Sequence, residues 1–434
     1  MTFRSRFTPY IAVAAVAATA TLLAGCAGGG GSPDPAKPAD PDEKVTLDFA
    51  FWGNDVRAEL YSQVIDAFEA EHKNITVNES FLGFPEFWEK RQTEAAGGGL
   101  PDVMQFDYSY LRQYSENGLL LDLTPYLGEA IQTDPLKESV LDIGKVADGQ
   151  FAIPISTNAW GMYTNPKLLE TAGVEEFAGG SWDDYTEWMA SVTEASGGTV
   201  FGGTDYTGRI QNFEIQLRSH DKFLFSEDGE LGFTEDDLKA FWEEGEKVRE
   251  TGVVGAQKLE EIYPLSAFDA AITASELTWD NFGGGYLGNL GEGYTELGLV
   301  APPVTVEGAK DLYQKPSMLH AASANTEHPA EAAMLIDFLV NSPESGEIFG
   351  TNRGLPASET ALSGANLEGL DAQIQEYEAS IADRLGDAPP VPIVGYGTIE
   401  EEFRLIGQEL GHGTLSVDDA VKRLFDKIDV TLNG

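Results

Sequence analysis

Cysteine is almost absent: one residue, Cys26, occurs in 434. An internal disulfide framework is thereby excluded. Histidine is nearly as scarce. None of His72, His220, His320, His328 and His412 forms an i,i+4 pair or an HExxH motif, so no metal site is expected. Basic residues are heavily outnumbered, with 27 Lys and Arg against 72 Asp and Glu and a net charge of -45. The largest basic cluster is Lys90-Arg91, and phosphate binding requires a basic stripe, so nucleic acid is not an expected partner. There is no Gly-x-Ser-x-Gly elbow, and the one cysteine has another reading, so no Ser or Cys nucleophile is expected. Ser226-Glu227-Asp228-Gly229 lacks the aspartate spacing of a calcium loop and reads as a turn. No cofactor and no enzymatic activity are expected. Beyond the N-terminal region no apolar run approaches the roughly 18 residues that a membrane span needs.

What is present begins at the N-terminus. Arg4 and Arg6 precede an apolar stretch, residues 11–23, which at about 13 residues is too short to cross some 30 Å of hydrocarbon. Positive charges, a short apolar core and small residues at its end are the parts of a secretory signal peptide, assigned to residues 1–25. Leu23-Ala24-Gly25-Cys26 resembles the bacterial lipobox, which implies lipidation of Cys26. Several acyl chains, each contributing about 0.8 kcal/mol per buried CH₂, would hold the protein at the extracellular face of the cell membrane. Residues 26–43 hold four consecutive glycines at 28–31 and then Pro33, Pro35, Pro38 and Pro41. They read as a tether reaching roughly 23 Å as a coil.

Hydrophobic residues make up 42% of the chain, and roughly 390 residues follow the tether, enough for two cores. Residues 45–51 alternate apolar and polar and then become wholly apolar, as a strand entering a buried sheet does. A helix capped by Asn54 or Asp55, a strand at 75–77, a helix at 86–96 and a strand at 102–106 follow. Such alternation predicts βαβ units on a parallel sheet. Ligands on these sheets sit beyond the carboxyl ends of the strands, here Trp52-Gly53-Asn54 and Asp107-Tyr108. A further strand is expected at 151–155, followed by the non-regular stretch 156–161, and helices at 166–172, 181–195, 234–249, 329–340, 342–349 and 417–428. Gly283-x-Gly285-x-x-Gly288 fits the dinucleotide fingerprint, yet Gly288-Asn289-Leu290-Gly291 stands where a helix should begin, so the stretch reads as a glycine-rich loop.

A series of short motifs recurs in order along the mature chain. Among them are Gly99-Leu100-Pro101-Asp102-Val103, Leu121-Asp122-Leu123-Thr124-Pro125-Tyr126, Gly149-Gln150-Phe151-Ala152-Ile153-Pro154, His328-Pro329-Ala330-Glu331-Ala332-Ala333 and Gly354-Leu355-Pro356-Ala357-Ser358. In these the chain resembles the extracellular solute-binding proteins of family 1, relatives of the maltose-binding type. The resemblance implies an α/β fold of two lobes, periplasmic-binding-protein-like (type II), with a ligand cleft between them. It implies three chain crossovers, near 156–158, 316–320 and 352–354. Residues 44–155 plus 318–352 would then form lobe 1, and residues 156–317 plus 353–434 lobe 2. It further implies a monomer that captures an extracellular carbohydrate, a di- or oligosaccharide, by lobe closure and delivers it to the permease subunits of an ABC importer.

Sugars offer an apolar C–H face and a rim of hydroxyls, so their sites pair aromatic platforms with directional polar groups. The candidates at loop ends are Trp52 with Asn54, Phe84 with Glu86, Asp107 with Tyr108, Asn158 with Trp160, Gln211 with Asn212, and Trp279 with Asp280. Arg353 and Tyr396 complete the set, and Trp279 is the proposed main platform. Neutral di- and trisaccharides are favoured, because a uronate calls for a cationic clamp and only Arg209 and Arg353 suggest one.

Overall fold

The computed structural model describes residues 37–263 and 265–433. The residues expected to form the signal peptide, Cys26 and most of the expected tether lie outside the described residues. The tether's last part does not behave as free coil. Ala39 packs on an apolar cluster while its N–H donates to the buried carboxylate of Glu331.

Ten strands are present among the described residues: β1 (Val45–Trp52), β2 (Ile75–Leu82), β3 (Val103–Phe106), β4 (Lys145–Val146), β5 (Gly149–Gln150), β6 (Ile153–Thr164), β7 (Ser275–Trp279), β8 (Gly298–Val300), β9 (Gln314–Ala322) and β10 (Leu355–Pro356). β4 and β5 form a small hairpin. The main sheet runs β10-β6-β9-β3-β1-β2. β1 pairs parallel with β2 and β3, as the βαβ pattern predicts, but β9 pairs antiparallel with both β3 and β6. The sheet is therefore mixed, because the chain enters β9 from the second half of the sequence and not through a right-handed helical crossover from β3.

β1 shows how the core is sorted. Leu47, Phe49 and Phe51 enter one apolar cluster while Ala50 and Trp52 enter another, on the opposite face of the sheet. The helices Asp55–Glu71 and Pro329–Asn341 cover the first face, and the helix Phe84–Gly97 the second. Asn54 accepts from the Arg57 N–H at 3.0 Å and so starts the first of these helices. Ser181 and Thr234 open Trp182–Ala195 and Glu235–Glu250 with reciprocal capping boxes closed by Asp184 and Asp237.

Two predicted elements differ. The stretch 156–161, expected to leave the strand, continues it: β6 is 12 residues long and buried throughout. Ser156, Thr157 and Asn158 break the apolar pattern, but their backbone pairs with β9, and at 156–157 with β10 as well. A pairing partner on each side outweighs side-chain polarity. The first half of β6 thus belongs with β9 and β10, and residues 160–164 pair with β7 and 162–164 with β8. The latter half enters an apolar cluster through Trp160, Met162 and Tyr163, and a separate cluster is built around Phe213, Trp242 and Phe403. The glycine run is not a loop either, since Gly283–Leu290 is a helix. Tyr286 is buried, and Leu287 and Leu290 pack on the same cluster, which offsets the roughly 1 kcal/mol that each glycine costs a helix. Gly283 is required by contact, because a Cβ there would lie 2.6 Å from the Tyr163 hydroxyl.

The three segments expected as crossovers come together. Thr157 pairs with Pro316 on one side and Leu355 on the other. The hydroxyls of Ser156 and Ser317 both donate to the Arg353 carbonyl. Gly354 sits beside them at φ 100°, and a Cβ on it would meet the Asn158 Oδ1 at 3.0 Å and the Ser156 Oγ at 3.1 Å. Among the described residues no helix is long and apolar enough to cross a membrane.

Candidate functional site

Two adjoining cavities, of about 280 Å³ and 370 Å³, lie at this junction and share Asp107, Trp279, Lys315 and Ser317 as walls. Strand ends position them. Trp52 and Trp279 are the last residues of β1 and β7, and Asp107 immediately follows β3. Lys315 and Ser317 come from β9.

The first cavity is also lined by Trp52, Phe84, Asn158, Arg57 and Phe282. Trp52 is held edge-on against Phe84 and Phe87, with ring centroids 5.3 and 5.4 Å away, so its orientation is fixed by packing. Asn158 is 3% exposed, and its Oδ1 finds no donor among the described residues. A buried acceptor without a donor costs about 1–3 kcal/mol, which a ligand hydroxyl or amide could recover. Asp107 caps the helix Tyr108–Glu116 by accepting from the Ser109 N–H at 2.9 Å.

The second cavity adds Tyr108, Gln211, Glu214, Tyr313, Tyr396 and Glu400. Tyr108 donates to the Pro389 carbonyl at 2.9 Å, and Gln211 donates to Glu400 at 2.6 Å. Burial raises the pKa of Glu214, against the hydrogen bond donated by the Tyr313 hydroxyl. Burial likewise lowers that of the Lys315 ammonium, opposed by the carboxylates of Glu400 and Asp107.

Trp279 is half-buried between the two cavities. Trp160 and Tyr313 meet it edge-to-face at 5.1 and 5.9 Å, and the Lys315 ammonium stands over its ring at 4.2 Å. It is thus placed at the end of a strand and not on a glycine loop, and one of its faces already carries a cation.

Of the fourteen residues singled out from sequence, Trp52, Phe84, Asp107, Tyr108, Asn158, Gln211, Trp279, Arg353 and Tyr396 line one cavity or both. The other five do not. Asn54 is spent on capping its helix, and Glu86 lies exposed in the first turn of Phe84–Gly97. Trp160 faces the core and donates from Nε1 to the Asn212 Oδ1 at 2.9 Å, which satisfies both buried side chains with one bond. Trp160 and Asn212 thus partner each other and not Asn158 and Gln211, beside which the sequence places them, and both are buried, in β6 and in the helix Ile210–Arg218. Asp280 is fully buried and accepts from the Ala159 N–H at 2.9 Å. Arg353 reaches the cavity wall, but its guanidinium packs 3.6 Å over Phe349 and donates to the Leu339 carbonyl. Its buried Nε and Nη1 find no acceptor among the described residues.

Asp280 and Glu378 form a second feature near the junction. They are buried together, burial raises both pKa values, that of Glu378 to about 7, and Glu378 also accepts from the Gln314 amide. Neither lines the two cavities.

Sequence reasoning missed Arg57, Lys315, Phe282 and Glu214. Arg57 was hidden in a polar helix face, and Lys315 carried no signal beyond its place next to the expected crossover at 316–320. Among the described residues no group of three or more His, Cys, Asp or Glu is disposed to hold a metal ion.

Comparison with known proteins fits this architecture. The curated relatives matched, from Brucella abortus and Brucella suis and described only as binding proteins, are 29% identical over 161 residues, so the match spans about a third of their length, 36% of each. An extracellular solute-binding protein family 1 member from Alicyclobacillus acidocaldarius is 26% identical, with a TM-score of 0.75 over 91% of this chain and 100% of that one. An oligogalacturonide-binding protein of Yersinia enterocolitica superposes with a TM-score of 0.74 at 22% identity, covering 88% of this chain and 98% of the other. The GacH receptor of Streptomyces glaucescens, solved unliganded and with acarbose, gives a TM-score of 0.67 at 18% identity over 90% and 99%. At these last two identities the likeness is one of fold. The two-lobed α/β architecture of the periplasmic binding proteins is thereby shared, and the profile of the bacterial extracellular solute-binding proteins matches residues 54–344. The chain belongs to the bacterial extracellular solute-binding protein family.

Proposed function

We propose that this protein captures an extracellular oligosaccharide in the cleft and delivers it to the permease of an ABC importer. The observation that carries this reading is the wall shared by two adjoining cavities: Trp279, with Trp52 and Phe84 on one side and Tyr396 on the other. Spaced aromatic surfaces alternating with Asp107, Asn158 and Gln211 suit successive sugar rings, whose C–H faces stack and whose hydroxyls need directed partners. The Yersinia and Streptomyces proteins, which bind oligogalacturonide and acarbose, support the same class of ligand here.

Ligand contact is assigned to Trp52, Phe84, Asp107, Tyr108, Asn158, Gln211, Trp279 and Tyr396. Trp160, Asn212 and Asp280 act behind them, holding β6 and β7 in place. Residues 44–155 plus 318–352 and residues 156–317 plus 353–434 are assigned to the two lobes, closing about the junction of 156–158, 316–320 and 352–354. Closure follows only if ligand binds the closed arrangement better than the open one. A monomer held at the outer face of the membrane by lipid on Cys26 completes the reading, and no catalytic step is part of it.

The test is a thermal-shift and calorimetric screen of the purified protein over neutral and acidic oligosaccharides of two to four rings. Saturable binding of at least one is expected. Binding of none, with a folded protein, refutes the reading.

A further inference from the structure

The walls of the first cavity carry an imbalance that the whole chain does not. The protein has a net charge of -45, so a cation has many carboxylates available to it. Arg57 and Lys315 nevertheless line this cavity with no ion-pair partner among the described residues. Arg57 is held from behind. Its Nε and Nη2 donate to Asn352, at 3.3 Å to Oδ1 and 3.1 Å to the carbonyl, and Nη1 reaches the Met318 sulfur at 3.6 Å. A guanidinium has five N–H donors, so about two remain for the cavity in a fixed plane. Lys315 makes no hydrogen bond or ion pair among the described residues; its ammonium lies over the Trp279 ring and feels the carboxylates of Glu400, Asp107, Asp280 and Glu214 only at a distance.

Leaving two partly desolvated cations unpaired is costly unless an anion arrives to share them. The Arg353 guanidinium, although turned into the core, lies close enough to Arg57 for each to feel the other's charge, which adds to the positive potential. The cavity's one acidic wall residue, Asp107, is occupied in capping its helix. The long-range field of the acidic surface is screened within about 8 Å at physiological salt, so the local pair decides what binds.

We propose that the first cavity takes the carboxylate of an acidic sugar, gripped by the planar fork of Arg57 with Lys315 as the second positive charge. This rests on the oligosaccharide reading above and replaces the neutral preference expected from sequence. Arg209 and Arg353, the two candidates for a clamp visible in the sequence, do not supply one, because Arg209 pairs with Glu276 at 2.6 Å and Arg353 points away. A flat, bidentate donor pair matches a carboxylate, while the remaining wall, Trp52, Phe84 and Asn158, serves ring faces and hydroxyls.

The test titrates the protein with oligogalacturonates, oligoglucuronates and alginate oligomers, each beside its carboxyl-reduced neutral counterpart and with neutral malto-oligosaccharides added. At least one acid is expected to bind roughly 10- to 100-fold more tightly than its reduced form, the range for charge-assisted hydrogen bonds. That preference should collapse in Arg57→Gln and weaken in Lys315→Met. A neutral member that binds as tightly as its acid overturns the inference and leaves the oligosaccharide reading standing. An acid preference that survives in folded Arg57→Gln overturns the assignment to Arg57. If no sugar binds, acid or neutral, the oligosaccharide reading falls and this inference with it. The comparison in the unsubstituted protein and in Lys315→Met decides the matter even if Arg57→Gln does not fold.

Discussion

Truncating Trp279 to alanine separates its two possible roles. As a core plug it would cost the protein about 3–5 kcal/mol of stability, the scale for deleting a buried tryptophan. Its surroundings point to a smaller figure. Two edge-to-face contacts, with Trp160 at 5.1 Å and Tyr313 at 5.9 Å, are worth about 0.5–1.5 kcal/mol each, and the Lys315 ammonium at 4.2 Å adds about 0.5–1. The expected loss of stability is therefore about 1.5–4 kcal/mol, a drop in Tm of no more than about 16 °C. One face of the ring carries Lys315, which leaves one for sugar, and loss of that stacking should weaken binding by about 1–3 kcal/mol, or roughly 5-fold to more than 100-fold. Differential scanning calorimetry of the ligand-free variant, beside isothermal titration with the oligosaccharide found by screening, measures both quantities. A Tm loss of core-plug size with affinity unchanged would refute the platform.

Glu378→Gln should show a pH-dependent gain in stability. Burial raises the Glu378 pKa from its ordinary 4.5 to about 7, so the folded state favours the protonated carboxyl. Its penalty is absent below about pH 4.5, grows as pH rises, and is complete above 7, reaching up to ~3 kcal/mol. The variant should melt higher than the unsubstituted protein at pH 8, with the difference vanishing near pH 4; a constant difference across that range contradicts the assignment. Gly354→Ala should destabilise the protein by about 1–3 kcal/mol in urea unfolding, because φ is 100° and its Cβ would crowd Asn158 and Ser156; an unchanged midpoint rejects this. Cys26→Ser should move the protein from the membrane fraction to the soluble one, and a variant that stays membrane-bound and acylated places the anchor elsewhere. Small-angle scattering should show a smaller radius of gyration at saturating ligand, and an identical profile argues against lobe closure.

The local signals in the sequence were strong where one short-range rule governs. Asn54, Ser181 and Thr234 cap helices as their residue types require, and the helix Pro166–Ala172 starts at its proline and stops at Gly173 in the left-handed region. The strand ends carrying Trp52 and Asp107 were legible too, since apolar runs that stop at a polar residue mark the rim of a sheet. The alternation that gave the parallel pair β1–β2 could not reveal that β9 arrives antiparallel from more than two hundred residues later, because pairing between distant strands leaves no local trace.

Side-chain direction was the other limit. Trp160 and Asn158 are two residues apart on β6, yet one donates into the core and the other presents an unpartnered oxygen to the cavity. Gly283 to Leu290 looked like loop because glycine disfavours helix, and only the contacts of Tyr286, Leu287 and Leu290 reverse that. Composition fixed the acidic character, the scarcity of cysteine and the amount of core, all of which are sums over residues. Tertiary structure alone brought Arg57 from the first helix and Lys315 from the ninth strand to the same cavity, and whether a cation is paired depends on distances between chain segments, which a linear sequence does not contain.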